Sequence, residues 1–333
     1  MNLAIIGATG NVGRKIIEVL EKSSIEVKNL FLVASEKSAG KKLFFKKKEI
    51  LVEQLENYDF SKAKITIFAA GSEIAKEWVP KASKKSIIID NSKYFRMEKD
   101  VPLVVAEVNP NELQKHKNII ANPNCSTIQL VLTLKPLHDV YKIKRIVVST
   151  YQAVSGAGKA QTDELFSQTE SFLKGETVKS KNFTKQIAFN LIPHIDTFVE
   201  DGYTKEEWKM ENETKKILDK KIELTATCVR VPVKTSHSES VNIEFENEYD
   251  LEKVKKILTK APGCKVVDER EDGGYITPAE AEGDNLTFIS RVRKDNSNKK
   301  ALNMWIVSDN LLKGAALNSV QIAEILVKKL NEK

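Results

Sequence analysis

Short apolar runs alternate with helical spacing through the first third of the chain. Runs at residues 3–6, 30–34, 65–70, 87–89, 103–106 and 118–121 read as strands, and between the first two Val12, Ile16, Ile17 and Leu20 recur at helical spacing. Strands separated by helical patterns predict βαβ units and a mostly parallel sheet. Beyond residue 125 the texture changes. Residues 126–134 open a helix that Pro136 is expected to stop, and 144–150 is a strand rich in β-branched residues. Residues 160–174, 204–220 and 251–259 have helical spacing. Residues 224–233, 240–245, 287–293 and 302–307 read as strands. This half is expected to be α+β, on a largely antiparallel sheet. A last helical pattern over 311–330 is expected to pack back on the first domain.

Composition narrows the class. At 333 residues the chain exceeds the size at which one core stops growing, so two domains are expected. Hydrophobic content of 41% and charged content of 30% fit a globular chain, and no apolar run approaches the ~20 residues that span a bilayer. The apolar start lacks a basic flank and is interrupted by Gly7, so it is not a secretory signal, and a cytoplasmic protein is expected. The net charge of +7 comes from scattered lysines alternating with acids. The densest runs, Lys41-Lys42 and Lys46-Lys47-Lys48, are too short and too poor in aromatics for a nucleic-acid surface. A positive surface does suit an anionic substrate or cofactor. Three cysteines, Cys125, Cys228 and Cys264, with no CxxC and no Cys/His cluster, argue against a disulfide framework or structural zinc, and no metal is expected.

Gly7-Ala8-Thr9-Gly10-Asn11-Val12-Gly13 follows the first strand and opens the first helix. Glycines there let a pyrophosphate approach the backbone, and the helix N-terminus supplies N–H donors. The context supports a dinucleotide site rather than only a tight turn. After the second strand, Glu36 suits the ribose 2′-hydroxyl of NAD, whereas Lys37 with Ser38 suits the 2′-phosphate of NADP, and the balance falls to NADP. The expected fold class is α/β: a Rossmann-like dinucleotide-binding domain over residues 1–125, completed by a C-terminal helix 311–333, plus an α+β catalytic and dimerisation domain over 126–310.

Cys125 lies in Asn122-Pro123-Asn124-Cys125-Ser126-Thr127, which reads as strand, turn, then a helix starting at or just after the cysteine. A thiol there has its thiolate favoured by the helix dipole, which tunes it to attack an acyl carbon. Cys228 lies within an apolar strand and Cys264 follows a Pro-Gly turn; both read as structural. Of four histidines, His237 falls just past a strand in a polar turn, seven residues after Arg230, while His116 sits among lysines. An arginine on that strand can grip a carboxylate with both nitrogens. Residues 151–159 form a second Gly/Ser-rich loop, placed to meet a nicotinamide or to connect domains, with Gln152 at its start.

Together these pieces resemble aspartate-semialdehyde dehydrogenase over nearly the whole chain. The resemblance rests on Gly7 through Gly13, Asn91-Ser92 with Phe95-Arg96-Met97, Val101-Pro102-Leu103-Val104, and the segment around Cys125. It continues through Tyr151 to Lys159, Glu206-Glu207-Trp208-Lys209, Arg230 to Ser240, and Asp309 to Ala316. It implies that Cys125 forms the acyl-enzyme, His237 is the general acid/base and Gln152 orients the substrate. Arg230 would bind the substrate carboxylate and Glu206 its amino group. Arg96, Asn124 and Lys209 would hold phosphate. Gly7, Thr9, Gly10, Asn11, Val12, Gly13, Lys37, Ser38, Ser155, Gly156 and Asn310 would contact NADP. The implied reaction is reversible, NADPH-dependent conversion of β-aspartyl phosphate to aspartate semialdehyde, feeding lysine, diaminopimelate, threonine and methionine synthesis, in a homodimer or homotetramer. Lysine at 37 stands where many relatives carry arginine, keeping the charge and losing the fork. The rival readings are a sister acyl-phosphate reductase acting on N-acetyl-glutamyl phosphate, and a non-catalytic NADP-binding sensor.

Overall fold

The structure, a computed structural model, describes residues 1–332. The chain divides into two compact units, residues 1–124 with 315–333, and residues 125–314.

The first unit contains β1 (Asn2–Ile6), α1 (Asn11–Glu21), β2 (Asn29–Ala34), β3 (Lys42–Phe45), β4 (Lys48–Gln54), β5 (Ile65–Phe68), α2 (Ser72–Ala82), β6 (Ile87–Asp90) and β7 (Ile119–Ala121). The strands form one seven-stranded sheet in the order β3-β4-β2-β1-β5-β6-β7, parallel except for the β3–β4 hairpin. The C-terminal helix (Leu317–Asn331) belongs to this unit, and its Val320, Ile322, Ala323 and Leu326 join Ile16, Leu20, Leu32 and Ile67 in the core. The hairpin is absent from the sequence reading because its turn is lysine. Lys46 and Lys47 take φ of 46° and 65°, a geometry normally given to Asn-Gly. Residues 103–106, expected as a strand, make only the single bridge Leu103–Ala121. Their backbone groups pair with side-chain amides instead: Asn109 bonds Leu103 O and Val105 N, and Asn318 bonds Val104 O and Ala106 N.

The second unit contains α3 (Cys125–Tyr141), β8 (Ile143–Gln152), α4 (Lys159–Leu173), α5 (Lys205–Ile217), β9 (Glu223–Arg230), β10 (His237–Phe245), α6 (Leu251–Thr259), β11 (Cys264–Val266), α7 (Pro278–Ala281), β12 (Thr287–Lys294) and β13 (Ala301–Ser308). Its six-stranded sheet runs β11-β12-β13-β10-β8-β9. The sheet is mixed: β8–β9 and β11–β12 are parallel, and the three pairs between them antiparallel. Pro136 does not stop α3, which continues to Tyr141. An interior proline costs about 3 kcal/mol, but nearly every residue of α3 from Ser126 to Leu134 is buried, and that packing outweighs the lost hydrogen bond. The helix expected from 311 begins at Leu317; a π-helical turn, Leu312–Ala316, precedes it.

Candidate active site

The nucleophile candidate is placed by a change of element. The chain leaves β7 at Ala121 and enters α3 at Cys125, its first residue, so the thiol sits at the positive end of the helix dipole. The side chain is half-buried. Cys228 is buried on β9, and burial, then the Glu206 charge, push its thiol well above the usual range, which makes it inert. Gly314, within the π-helical turn, lies against Cys125: a Cβ added there would come within 2.7 Å of the Cys125 Cβ. Only a glycine lets that turn pass the nucleophile so closely.

Period-two alternation on the central sheet lays out the rest in rows. Gln152 of β8 pairs with Arg230 of β9, on the buried face. One row further in come Cys228, Thr150 and Glu239, and then the apolar row Ala226, Val148, Val241. His237 is not in a turn beyond a strand, as its sequence position implied; it is the first residue of β10 and is fully buried. The backbone of Ala153 joins it to Arg230. Ala153 N–H donates to His237 Nδ1 at 3.0 Å, and Ala153 O accepts from Arg230 Nη1 at 2.7 Å. A donor aimed at Nδ1 requires the neutral tautomer with its proton on Nε2. Nε2 has no hydrogen-bond partner among the described residues, and Gly156 stands over it: a Cβ there would lie 3.0 Å from Nε2.

Burial, then the Arg230 charge, pull the His237 pKa down to about 3 from 6.5. The unfolded chain therefore takes up a proton near pH 6.5 that the native state refuses until about pH 3. Stability from this residue is intact above pH 6.5 and is lost as pH falls, at about 1.4 kcal/mol per pH unit. Denaturant titrations between pH 6 and 4 are expected to show that slope in the wild type in excess of His237→Gln. Equal slopes would mean that the imidazole is not held neutral.

The α5 helix supplies the charged residues. Its start is fixed by a capping box between Thr204 and Glu207, and Glu207 also accepts the Cys228 N–H at 3.0 Å, tying helix to strand. Glu206 and Lys209, three apart on one face, form an ion pair. Gln152 Nε2 donates to Glu206 at 3.1 Å and to Thr150 at 3.2 Å. Lys209 also meets Asp196 at 3.3 Å, a partner with no signal in the sequence. Burial pulls the Arg230 pKa down, and Glu206 and then Cys125 favour its charge, which makes Arg230 a cation that bears on the thiol.

The remaining candidates fall in separate places. In the first unit Gly7 has φ +81°, and a Cβ on Gly13 would lie 2.3 Å from Gly7 O. Gly10 is the N-cap of α1, with Asn11, Val12 and Gly13 forming its first turn, so the loop is a cradle that side chains would fill. Thr9 Oγ1 meets Ser38 Oγ at 3.3 Å, and Lys41 Nζ reaches the same Ser38 at 3.4 Å; Lys37 and Lys41 are both exposed. Lys41 was not singled out from the sequence, where it reads as part of a lysine run. Arg96 is buried in the same unit, bonded to Asn122 O at 2.9 Å and Asn91 O at 3.0 Å, and Asn124 is buried as well. In the second unit Asn310 links Ser155 Oγ at 3.0 Å to the backbone N–H of Ser236 at 2.9 Å, and Ser236 holds φ of 76° just before His237. Among the described residues no group of three His, Cys, Asp or Glu side chains is arranged to hold a metal, and no helix is long and apolar enough to cross a membrane.

The family model described as semialdehyde dehydrogenase, NAD binding domain, matches residues 2–116, and the one described as semialdehyde dehydrogenase, dimerisation domain, matches residues 134–313. The aspartate-semialdehyde dehydrogenase of Aquifex aeolicus is 51% identical over 98% of both chains. The chain belongs to the aspartate-semialdehyde dehydrogenase family. The family's enzyme from Bacillus subtilis is 46% identical, covering 99% of this chain and 98% of its own. Among solved structures, aspartate semialdehyde dehydrogenase II of Vibrio cholerae superposes with a TM-score of 0.96 at 46% identity over 98% of both chains, and was also solved complexed with ASA. The family's Candida albicans structure with NADP has a TM-score of 0.77 at 26% identity, over 98% of both chains.

Proposed function

We propose that the chain catalyses the reversible NADP-dependent conversion of aspartate semialdehyde and phosphate to β-aspartyl phosphate through a thioester on Cys125. The observation that carries it is Cys125 as the first residue of α3, with an Arg230 whose charge both Cys125 and Glu206 favour. The Arg230 and Glu206 pair suits a free amino-acid head group, carboxylate on Arg230 and ammonium on Glu206, better than an acylated one. Gln152, held between Glu206 and Thr150, orients the group that it touches. Cys125 Sγ attacks the carbonyl carbon. The oxygen that becomes negative is met by the Nε2–H of His237, a donor preset by Ala153. Arg96, Asn124 and Lys209 are assigned to phosphate on the resemblance, and the ion pairs of Lys209 pre-position its ammonium.

The Gly7–Gly13 cradle fits a dinucleotide pyrophosphate, and Ser155, Gly156 and Asn310 are assigned to the nicotinamide half. When bound, the cofactor supplies or accepts the hydride. Ser38, between Thr9 and Lys41, fits a 2′-phosphate. Replacing both Lys37 and Lys41 by alanine is therefore expected to raise the KM for NADP by roughly 10- to 100-fold, the worth of one or two charge-assisted bonds, while the KM for NAD stays as it was. Equal changes for both cofactors would remove the 2′-phosphate role.

The second unit is assigned to homodimerisation, with a cytoplasmic location. Its sheet face bearing Ser149, Tyr151, Val229, Ser240 and Trp305 is at best half-covered, and Phe166, Phe172, Leu173, Phe189 and Phe198 are exposed nearby in the chain. The activity is tested by following reduced nicotinamide with aspartate semialdehyde, NADP and phosphate. Phosphate-dependent NADP reduction is expected. Oxidation of N-acetyl-glutamate semialdehyde instead would move the assignment to the sister reductase, and cofactor binding without turnover of either would favour a sensor.

A further inference from the structure

Glu239 is a fully buried acid that the chemistry above does not use. It lies on β10 two residues after His237, opposite Thr150 of β8 on one side and Ile306 of β13 on the other. The row beneath it, Val148, Val241 and Met304, is hydrocarbon. Among the described residues neither carboxyl oxygen, nor the buried side-chain nitrogen of Gln129, makes a well-formed hydrogen bond, but the Gln129 amide lies close enough to favour a charge on Glu239. Gln129 is one turn beyond Cys125 on α3, so Cys125 and Gln129 share a helix face.

A carboxylate in this place would have the Gln129 amide as a neutral donor, and burial outweighs that help. The titratable groups around it are Cys228 on β9, which feels its charge, His237 on its own strand and Cys125 on α3; Glu206 and Glu207 of α5 bear on the same Cys228. Arg230 acts on His237. Burial accordingly pushes the Glu239 carboxyl well above the usual range, which favours the neutral acid with a proton to donate. The Gln129 amide beside it can accept that proton in a hydrogen bond, its oxygen coming into line by a half-turn of the terminal torsion.

We propose that Glu239 and Gln129 form a buried acid–amide support beneath the first turn of α3, with Glu239 as a positioning residue for Cys125. The proposal rests on Cys125 being the nucleophile. The support sits one row under Gln152 and Arg230, so it braces the helix start from below without adding negative charge near the thiolate. An apolar residue would fill the row but could not link strand to helix; an ionised acid would link them but oppose the thiolate.

The test uses Glu239→Gln and Glu239→Ala in the full-length protein, read by the pH dependence of Cys125 alkylation with iodoacetamide as well as by turnover. Glu239→Gln keeps a neutral hydrogen-bonding group and is expected to leave kcat and the alkylation midpoint unchanged. Glu239→Ala is expected to lower kcat by about 10- to 100-fold, as for a slightly misplaced reacting group, with the KM for the semialdehyde unchanged and alkylation slowed. A lower alkylation midpoint or a lost kcat in Glu239→Gln overturns the proposal, as does an unaffected Glu239→Ala. Should Glu239→Ala not fold, infrared difference spectra of wild type against Glu239→Gln decide. The carbonyl band of a protonated carboxylic acid, present in the wild type only, supports it, and its absence overturns it. Alkylation and infrared readouts need no turnover, so failure of the proposed activity in the wild type is a separate result.

Discussion

Cys125→Ala is expected to lower phosphate-dependent NADP reduction by about 10⁴-fold or more, because the thioester route then has no nucleophile. No other thiol can substitute. Cys228 is buried behind the Gln152–Arg230 row with its ionisation suppressed, and Cys264 stands on β11, at the far edge of the sheet from β9. Cys125→Ser is expected to be nearly as inactive. A helix N-terminus favours an anion by about 0.3–1 kcal/mol, less than one pKa unit, which helps a thiol titrating near 8.5 and does almost nothing for an alcohol. NADP affinity should be unchanged in both variants, since the glycine cradle lies on β1 and α1. Steady-state rates and cofactor titrations measure the two effects separately. If Cys125→Ala kept more than about one part in a hundred of the turnover, the covalent route would be wrong.

Much of this was legible in the chain because the signals are local. The glycine cradle follows from spacing, the placement of Cys125 from a Pro-Asn turn before an apolar helix, β8 from its β-branched residues and β9 from period two. The failures are of another kind. The β3–β4 hairpin turns on two left-handed lysines, which carry no local preference for that geometry. Pro136 broke a rule that α3 could break because the helix is buried from Ser126 to Leu134. Residues 103–106 were apolar enough for a strand, but two asparagines, Asn109 close by and Asn318 far along the chain, took their backbone bonds. The site divides in the same way. Cys125, Arg230 and Gln152 were found as side chains in motifs, whereas Ala153 acts through its backbone and Asp196 through a fold-dependent ion pair. His237 was found and misplaced, because a Ser-His-Ser-Glu-Ser stretch reads as a polar turn until its alternate members are seen to face the core.

Gly314→Ala is expected to cost about 100-fold in kcat while adding a single methyl group. The new Cβ would stand 2.7 Å from the Cys125 Cβ and 3.2 Å from its Cα. Carbon atoms settle at about 3.5–4.0 Å, so something must yield by close to 1 Å. The π-helical turn is tied down by Asp309, which accepts the N–H groups of Leu311 and Leu312 at 2.8 and 3.1 Å, so the start of α3 moves instead. A displacement of that size at a nucleophile costs about 10²-fold. Overpacking of this kind also costs about 1–3 kcal/mol of stability. Gly71→Ala is the control, since a Cβ there meets nothing within 4 Å. The decisive comparison is the same substitution beside Cys125→Gly. With the opposing Cβ removed, the stability cost of Gly314→Ala should largely vanish, giving a coupling energy of about the same 1–3 kcal/mol. Additive costs would place the strain elsewhere, and Gly314 would then owe nothing to the nucleophile that it faces.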